Sequence, residues 1–167
     1  MADSIVRAAM IEVQPLSADD TVWAAAKRLV ELGLPALPAI ETDGRFAGIF
    51  GEREFMTALF PGYVGTLASA RLISRSIDAS IGRRASCRDE PIRRYLTTDH
   101  VVVEDEFSDT QLAELFLHYR VLIIPIATKG RVHAIVTRSD FFRHLVERFG
   151  AIAGDGLEKS EGADAGE

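Results

Sequence analysis

A hydroxyl and a carboxylate stand three residues apart at the end of an apolar run: Thr137 and Asp140 in "AIVTRSDFF", residues 134–142. This spacing is typical of a helix start, because a threonine at the N-cap and an acid three residues later satisfy free backbone amides. The same groups also suit a nucleotide. A helix N-terminus attracts phosphate, and a carboxylate accepts hydrogen bonds from ribose hydroxyls. Capping and ligand binding are compatible, so the spacing alone leaves both interpretations open.

Other residue types that carry chemistry do not form a catalytic pattern. No Walker A loop, GxSxG nucleophile elbow or HExxH zinc motif is present in the sequence. The histidines have no metal-ligand spacing with cysteine or acid; they are His100, His118, His133 and His144. We therefore predict a protein that is not an enzyme, with no metal site and no tightly bound cofactor.

Composition limits the class of protein. The chain has 167 residues, 47% apolar and 26% charged, which suits one globular domain or two small halves that share a core. A formal charge of −6 argues against binding nucleic acid or a membrane over the whole surface. No signal-peptide or membrane-spanning run is apparent, and a lone cysteine, Cys87, fits a reducing compartment. We expect a cytoplasmic protein with no membrane partner.

The same order of predicted helices and strands occurs twice in the sequence. Each copy has an extended lead-in, then a helix, two short apolar strands joined by a turn, and a second helix. The first copy runs from the helix start at Thr21 and the second from that at Ser108. Aligned positions of the two copies hold Pro38 and Pro125, Gly44 and Gly130, Gly48 and Ala134, and Phe55 and Phe141.

The duplication predicts an α/β protein of the α+β type. Each βαββα copy is too small to bury a core alone, so the two copies should pack face to face with pseudo-two-fold symmetry. We predict a first repeat over residues 4–60, an inserted connection over 61–90, and a second repeat over 91–149. A helix should end at Gly150, and residues 150–167 should form an acidic disordered tail.

The ordered duplication over residues 4–149 resembles a tandem pair of cystathionine-β-synthase (CBS) domains, the Bateman module. The resemblance rests on the lead-ins "VQPLSADDTVWAAAKRL" and "YLTTDHVVVEDEFSDTQLAEL", each followed by a proline-bearing strand and an apolar strand that runs into a helix start. It implies an adenosine ligand in a cleft between the halves: AMP, ADP or ATP, with S-adenosylmethionine and NAD as alternatives. It also implies a regulatory role toward an unknown protein target and a homodimer, a disc of four repeats.

The resemblance also implies which residues bind. Thr137 and Asp140 would hold ribose and phosphate, although Ala134 replaces the usual glycine of the motif. Arg138 either meets phosphate or is solvated. Strand and lead-in residues would enclose the base, so the predicted nucleotide site comprises Thr98, Val101, Ile124, Pro125, Thr137, Arg138 and Asp140.

The first copy departs further from the motif. Glycine and glutamate stand where the hydroxyl and the aspartate are expected, and an arginine beside them is suited to phosphate. The predicted second, weaker site comprises Pro38, Gly51, Arg53 and Glu54. One competent site per chain is the expected count.

The insert is basic, and its segments "LASARLI" and "IDASIGRRA" are predicted to form short helices. Seven arginines and three acids lie between residues 71 and 94. The insert either extends the dimer contact or meets an acidic partner or ligand phosphates; nucleic acid is disfavoured because no aromatic residues are interleaved. An alternative function follows: a structural interaction module with vestigial clefts, whose basic insert contacts a partner. The altered residues Ala134, Gly51 and Glu54 favour that alternative, and the intact Thr137–Asp140 motif favours the ligand sensor.

Overall fold

Two small sheets and six α-helices make up the fold. The structure is a computed structural model that describes residues 4–61 and 76–161, with side chains described up to residue 154. The helices are α1 Ile5–Ala9, α2 Val22–Leu32, α3 Glu52–Leu59, α4 Ile77–Arg83, α5 Asp109–His118 and α6 Arg138–Glu161. The strands are β1 Met10–Glu12, β2 Leu16–Ser17, β3 Ala36–Ile40, β4 Phe46–Gly51, β5 Val103–Glu104, β6 Ile123–Thr128 and β7 Arg131–Thr137.

The two sheets repeat one topology. The first has the order β2-β3-β4, and the second has β5-β6-β7 followed by β1. In each, a short strand pairs in parallel with the first strand of an antiparallel hairpin. The hairpin turns hold Gly44 and Gly130 at φ values of 85° and 75°, a conformation that glycine adopts without steric cost. The predicted mixed α/β fold of two repeats is confirmed.

The lead-in segments of the two repeats are exchanged. Strand β1 pairs antiparallel with β7 of the second sheet, with Ile11 opposite Ile135. In return, Thr97 lies along the outer edge of β4 and exchanges two backbone hydrogen bonds of 2.9 and 3.0 Å with Ile49. Each exchange covers a sheet edge that would otherwise expose unpaired backbone groups. The predicted boundaries at residues 4 and 91 therefore do not coincide with the packing units, because each lead-in belongs to the other half.

Three clusters of buried side chains follow from this arrangement. The first half packs around Leu16, Val22, Leu37, Phe50 and Ile92. The second half packs around Val6, Leu112, Ile124, Ile126, Val136 and Phe141. Between the sheets lie Ala36, Ile49, Ile123 and Ile135. Because side chains alternate along a strand, β6 sends Ile124 to its own helices and Ile123 to the opposite sheet, which explains its uninterrupted apolar sequence.

A carboxylate of the second half fixes the start of the chain. Asp109 accepts hydrogen bonds from Ser4 Oγ at 2.7 Å and from the backbone amides of Ile5 and Val6 at 2.9 and 3.0 Å. Burial alone would raise the pKa of Asp109, but these hydrogen bonds outweigh it and lower the pKa below the usual value of 3.8. The first turn of α1 is thus capped from more than one hundred residues away.

We expect Asp109→Asn to lower the free energy of unfolding by about 1 kcal/mol at neutral pH, the usual scale for losing a helix cap. Because the folded pKa lies below the unfolded one, the stabilisation by the carboxylate is complete above the unfolded pKa. It is lost as the pH falls through the folded pKa. Urea unfolding of both proteins at several pH values measures this. A difference that stays constant down to pH 2 would contradict it.

Helix α6 is longer than the sequence predicted. It passes through Gly150 and continues to Glu161, so the predicted helix end and the predicted disordered tail from residue 150 are wrong over this stretch. Gly150 does not adopt a positive φ, and the apolar spacing of Phe149 continues at Ile152. The predicted short helix in "IDASIGRRA" is present as α4, whereas the one in "LASARLI" falls outside the described residues.

Described arginines of the basic stretch are largely paired with acids. Arg93 binds Asp19 and Glu41 at 2.9 and 2.7 Å, and Arg94 lies 3.3 Å from Glu90. Elsewhere in the stretch, further contacts join Arg84 to Glu90 and Tyr95, and Arg88 to Asp89. Much of the local positive charge is therefore balanced within the protein. Arg71 and Arg75 fall outside the described residues.

Candidate ligand cleft between the halves

The second-copy motif forms a closed capping arrangement at the junction of β7 and α6. Thr137 Oγ1 accepts from the Asp140 amide at 3.0 Å and donates to Asp140 Oδ2 at 2.6 Å. Asp140 Oδ1 accepts from Arg143 at 2.6 Å. The amide of Arg138 donates to Leu122 O at 2.9 Å, which anchors the first turn to the start of β6. Thr137 is buried, while the Asp140 side chain is 27% exposed, so its carboxylate is held and still accessible.

That carboxylate borders a cleft of about 840 Å³ between the two halves. Thr137, Ser139 and Asp140 form one end. The other walls come from α2, the loop before β3, and the start of α3, with Trp23, Leu29, Val30, Leu34, Pro35 and Phe55 as the larger apolar lining residues. This volume lies within the usual range for small-molecule and cofactor sites. Such sites usually have a mostly apolar wall with a few polar groups, as this cleft does.

Five of the seven residues predicted for the nucleotide site do not border this cleft. Ile124 and Pro125 are buried inside the second half. Thr98 is exposed and Val101 is half-buried on the segment that follows the β4 edge. The exchange of the lead-ins explains this placement, because the second lead-in runs along the first sheet. The side chain of Arg138 is exposed and does not line the cleft either.

Helix α2 supplies lining residues that the sequence reasoning missed. Val22, Ala25 and Leu29 form its buried stripe, whereas Trp23 and Val30 are 44% and 82% exposed. A large aromatic residue off the buried stripe was the available signal. The exposed tryptophan did not indicate what lies opposite, because α2 and the start of α6 line one cleft only when the halves pack.

The first-copy motif is closed by its own side chain. Glu54 is only 7% exposed, and its Oε1 accepts from Thr97 Oγ1 at 2.5 Å while Oε2 accepts from the Gly51 amide at 3.0 Å. A Cβ added at Gly51 would lie 2.6 Å from Pro35 O, so the backbone is tightly enclosed there. Pro38 is fully buried and Arg53 is exposed to solvent. The carboxylate that would receive a ribose is therefore already used within the protein.

Gly48 serves the exchanged lead-in. Its φ is 151°, and a Cβ there would lie 2.7 Å from Thr97 O and 3.0 Å from Leu96 Cβ. The glycine lets the second lead-in approach β4 closely enough for the two backbone hydrogen bonds with Ile49. At the equivalent place the second copy carries Ala134, which is fully buried beside β1.

Other reactive groups give no second site. Cys87 is buried, and burial raises the pKa of its thiol, which makes it a poor nucleophile. Within residues 4–61 and 76–161, no group of His, Cys, Asp and Glu side chains is arranged to hold a metal ion. In the same part of the chain, none of the helices combines the length and the apolar character that crossing a membrane requires.

Comparison with known proteins agrees with this architecture. Residues 6–61 match the family model of the CBS domain. A CBS-domain containing protein from Agrobacterium tumefaciens has a crystal structure that superposes with a TM-score of 0.61, at 20% identity, over 84% of this chain and 89% of that one. The chain folds as a tandem CBS-domain pair.

Two further structures share this fold. One is CBSX2 in complex with AMP, with a TM-score of 0.62 at 17% identity over 87% of this chain and 98% of that one. The other is the CBS domain pair of protein MJ0100 in complex with 5′-methylthioadenosine and S-adenosyl-L-methionine, with a TM-score of 0.63 at 17% identity over 86% and 96%. An uncharacterized 17.7 kDa protein of Acidianus ambivalens is 26% identical over 148 residues, 88% of this chain and 76% of its own length.

Proposed function

We propose that this CBS pair is a non-catalytic, cytoplasmic regulatory module that binds an adenosine-containing ligand in the cleft at Thr137 and Asp140. It would pass the signal to a separate protein. The observation that carries the proposal is the Asp140 carboxylate, held by Thr137 and Arg143 and open to a cleft of about 840 Å³. The AMP, 5′-methylthioadenosine and S-adenosylmethionine complexes of proteins with this fold support the choice of ligand class.

The groups at the cleft fit the parts of a nucleoside. An ionised carboxylate has about four lone-pair positions, so Asp140 can accept from ribose hydroxyls while it keeps its bonds to Thr137 and Arg143. The apolar faces of Trp23 and Phe55 provide contact area for a base. Because the walls come from both halves, a bound ligand would favour one packing of the halves over another. That shift cannot exceed the difference in ligand affinity between the two packings.

The proposal predicts that an adenosine compound raises the melting temperature and that Asp140→Asn removes the rise. A ligand at one hundred times its dissociation constant contributes about 2.7 kcal/mol, which a thermal melt detects readily. The rise for each variant is measured against its own ligand-free melting temperature, so a change in the stability of helix α6 does not affect the comparison. Glu54→Gln, the matched change in the closed first copy, should keep the rise. If folded protein shows no rise with adenosine, AMP, ATP, NAD or S-adenosylmethionine, the interaction-module function is favoured instead.

We also propose that the CBS pair forms a homodimer through its helices. Exposed apolar side chains follow one face of α6 at helical spacing: Phe142, Leu145, Val146, Phe149 and Ile152. A continuous apolar stripe of this kind marks a protein contact. Light scattering that finds only monomer at micromolar concentration would exclude the dimer.

A further inference from the structure

The charges around the cleft bear on which adenosine ligand enters it. The charged residues that line it are three acids and one base: Glu31, Glu52, Asp140 and Lys27. Two arginines lie close by, and each is already paired: Arg143 with Asp140 at 2.6 Å and Arg88 with Asp89 at 3.7 Å. Asp140 and Arg143 neutralise each other, so Glu31 and Glu52 face the single positive charge of Lys27, and the balance before any ligand enters is slightly negative.

The helix starts at the cleft offer little to a phosphate. The amide of Arg138 at the start of α6 bonds Leu122 O at 2.9 Å, and the amide of Glu52 at the start of α3 bonds Pro35 O at 3.1 Å. Carboxylates already occupy both positive helix ends, Asp140 in α6 and Glu52 with Glu54 in α3. The usual anion site at a helix N-terminus is thus taken by the protein's own acids.

The described residues that line the cleft supply little positive charge to replace those helix ends. Lys27 is the one basic side chain among the lining residues, and its Nζ lies 5.8 Å from the centre of the Trp23 ring. The loop that faces Asp140 contributes Leu34 and Pro35, which are apolar. A triphosphate would therefore bring several negative charges next to the carboxylates of Glu31 and Glu52, with the ammonium group of Lys27 to offset them.

We propose, on the basis of the function proposed above, that this cleft selects adenosine ligands that lack a phosphate chain. The class comprises neutral nucleosides and those with a positive charge at the 5′ end, such as a sulfonium nucleoside. Asp140 binds the ribose, the apolar wall takes the base, and Glu31 and Glu52 repel phosphate and attract a cationic substituent.

Titration of the full chain tests this selectivity. Trp23 is the only tryptophan in the sequence and lines the cleft, so its fluorescence reports occupancy. We expect adenosine and S-adenosylmethionine to bind at least about tenfold more tightly than ATP at low salt, with AMP between them. The difference between S-adenosylmethionine and ATP should shrink at about 0.5 M salt, because exposed charges are screened.

Two variants separate the electrostatic cause from shape. Glu31→Gln with Glu52→Gln should raise the affinity for ATP about tenfold relative to the affinity for adenosine. The control, Glu114→Gln, changes an exposed acid on α5 that does not line the cleft and should alter neither. The proposal is overturned if Glu31→Gln with Glu52→Gln leaves the preference for adenosine over ATP unchanged.

The remaining outcomes distinguish this inference from the proposed function. ATP binding as tightly as adenosine, with both lost in Asp140→Asn, would overturn the selectivity and leave the adenosine site standing. Binding of no adenosine compound would overturn both. If no adenosine compound binds and the fluorescence of Trp23 in a dimer is protected from a soluble quencher, a second copy of the chain occupies the cleft.

Discussion

Replacing Gly48 with alanine is expected to lower the free energy of unfolding by about 2–5 kcal/mol. Two costs add: a φ of 151° strains any residue with a Cβ, and the Cβ itself would stand 2.7 Å from Thr97 O. Relief would require the second lead-in to move off β4, which breaks its two hydrogen bonds to Ile49. Equilibrium urea unfolding, followed by far-UV circular dichroism, measures the change.

Gly44→Ala is the matched control for this effect. Gly44 also has a positive φ, 85°, but nothing lies within 4 Å of an added Cβ. Its substitution should cost only the backbone strain, about 1–2 kcal/mol. Equal losses at the two glycines would show that the close approach of Thr97 to β4 does not contribute to stability, and would contradict the exchanged arrangement of the lead-ins.

Removing the Glu54 carboxylate should have the second large effect. In Glu54→Ala, the Thr97 hydroxyl and the Gly51 amide lose their partner in an enclosed site. An unsatisfied buried polar group costs about 1–3 kcal/mol, so we expect a total loss of about 2–4 kcal/mol. Chemical denaturation of the ligand-free protein measures it.

Asp140→Ala provides the comparison, because it is the equivalent change in the second copy. The Asp140 carboxylate, at a partly exposed position, holds the hydroxyl of Thr137 that caps α6, and its loss should cost only about 1 kcal/mol. The effects on ligand binding should be the reverse of the effects on stability: Glu54→Ala should retain binding, and Asp140→Ala should lose it. If ligand binding disappears in Glu54→Ala while the protein stays folded, the first copy has a binding role and the assignment of the cleft is wrong.

The duplicated elements were predictable because their signals are local. The predicted helix starts at Thr21 and Ser108 both appear in the structure, where each side chain accepts a hydrogen bond from the backbone amide three residues later. Turn residues at Gly44 and Gly130 located the two hairpins. These patterns depend on neighbours within a few residues, which is the range that sequence reasoning covers well.

The exchange of the lead-ins was not predictable in the same way. Which sheet edge Met10–Glu12 joins depends on residues more than one hundred positions away, and nothing in the strand pattern specifies it. The placement of Thr98 and Val101 away from the cleft follows directly, because the second lead-in runs along the first sheet. The closure of the first copy depends likewise on one long-range hydrogen bond, from Thr97 to Glu54.

The continuation of α6 past Gly150 has a local signal in the sequence. Gly150 predicts a helix end, but its backbone stays helical and the apolar spacing continues to Ile152. Glycine ends a helix when the chain takes a left-handed conformation, as Gly33 does after α2 at a φ of 64°. Gly150 has no such conformation, and its cost within a helix is only about 1 kcal/mol relative to alanine.

Isothermal titration calorimetry with adenosine tests the central claim most directly, because it counts the sites. The account predicts one site per chain, which disappears in Asp140→Ala and remains in Glu54→Ala. Two equal sites per chain would show that the Glu54 carboxylate is displaced by ligand and that both copies bind. No heat of binding with adenosine or S-adenosylmethionine, in protein shown to be folded, would contradict a ligand site at Asp140.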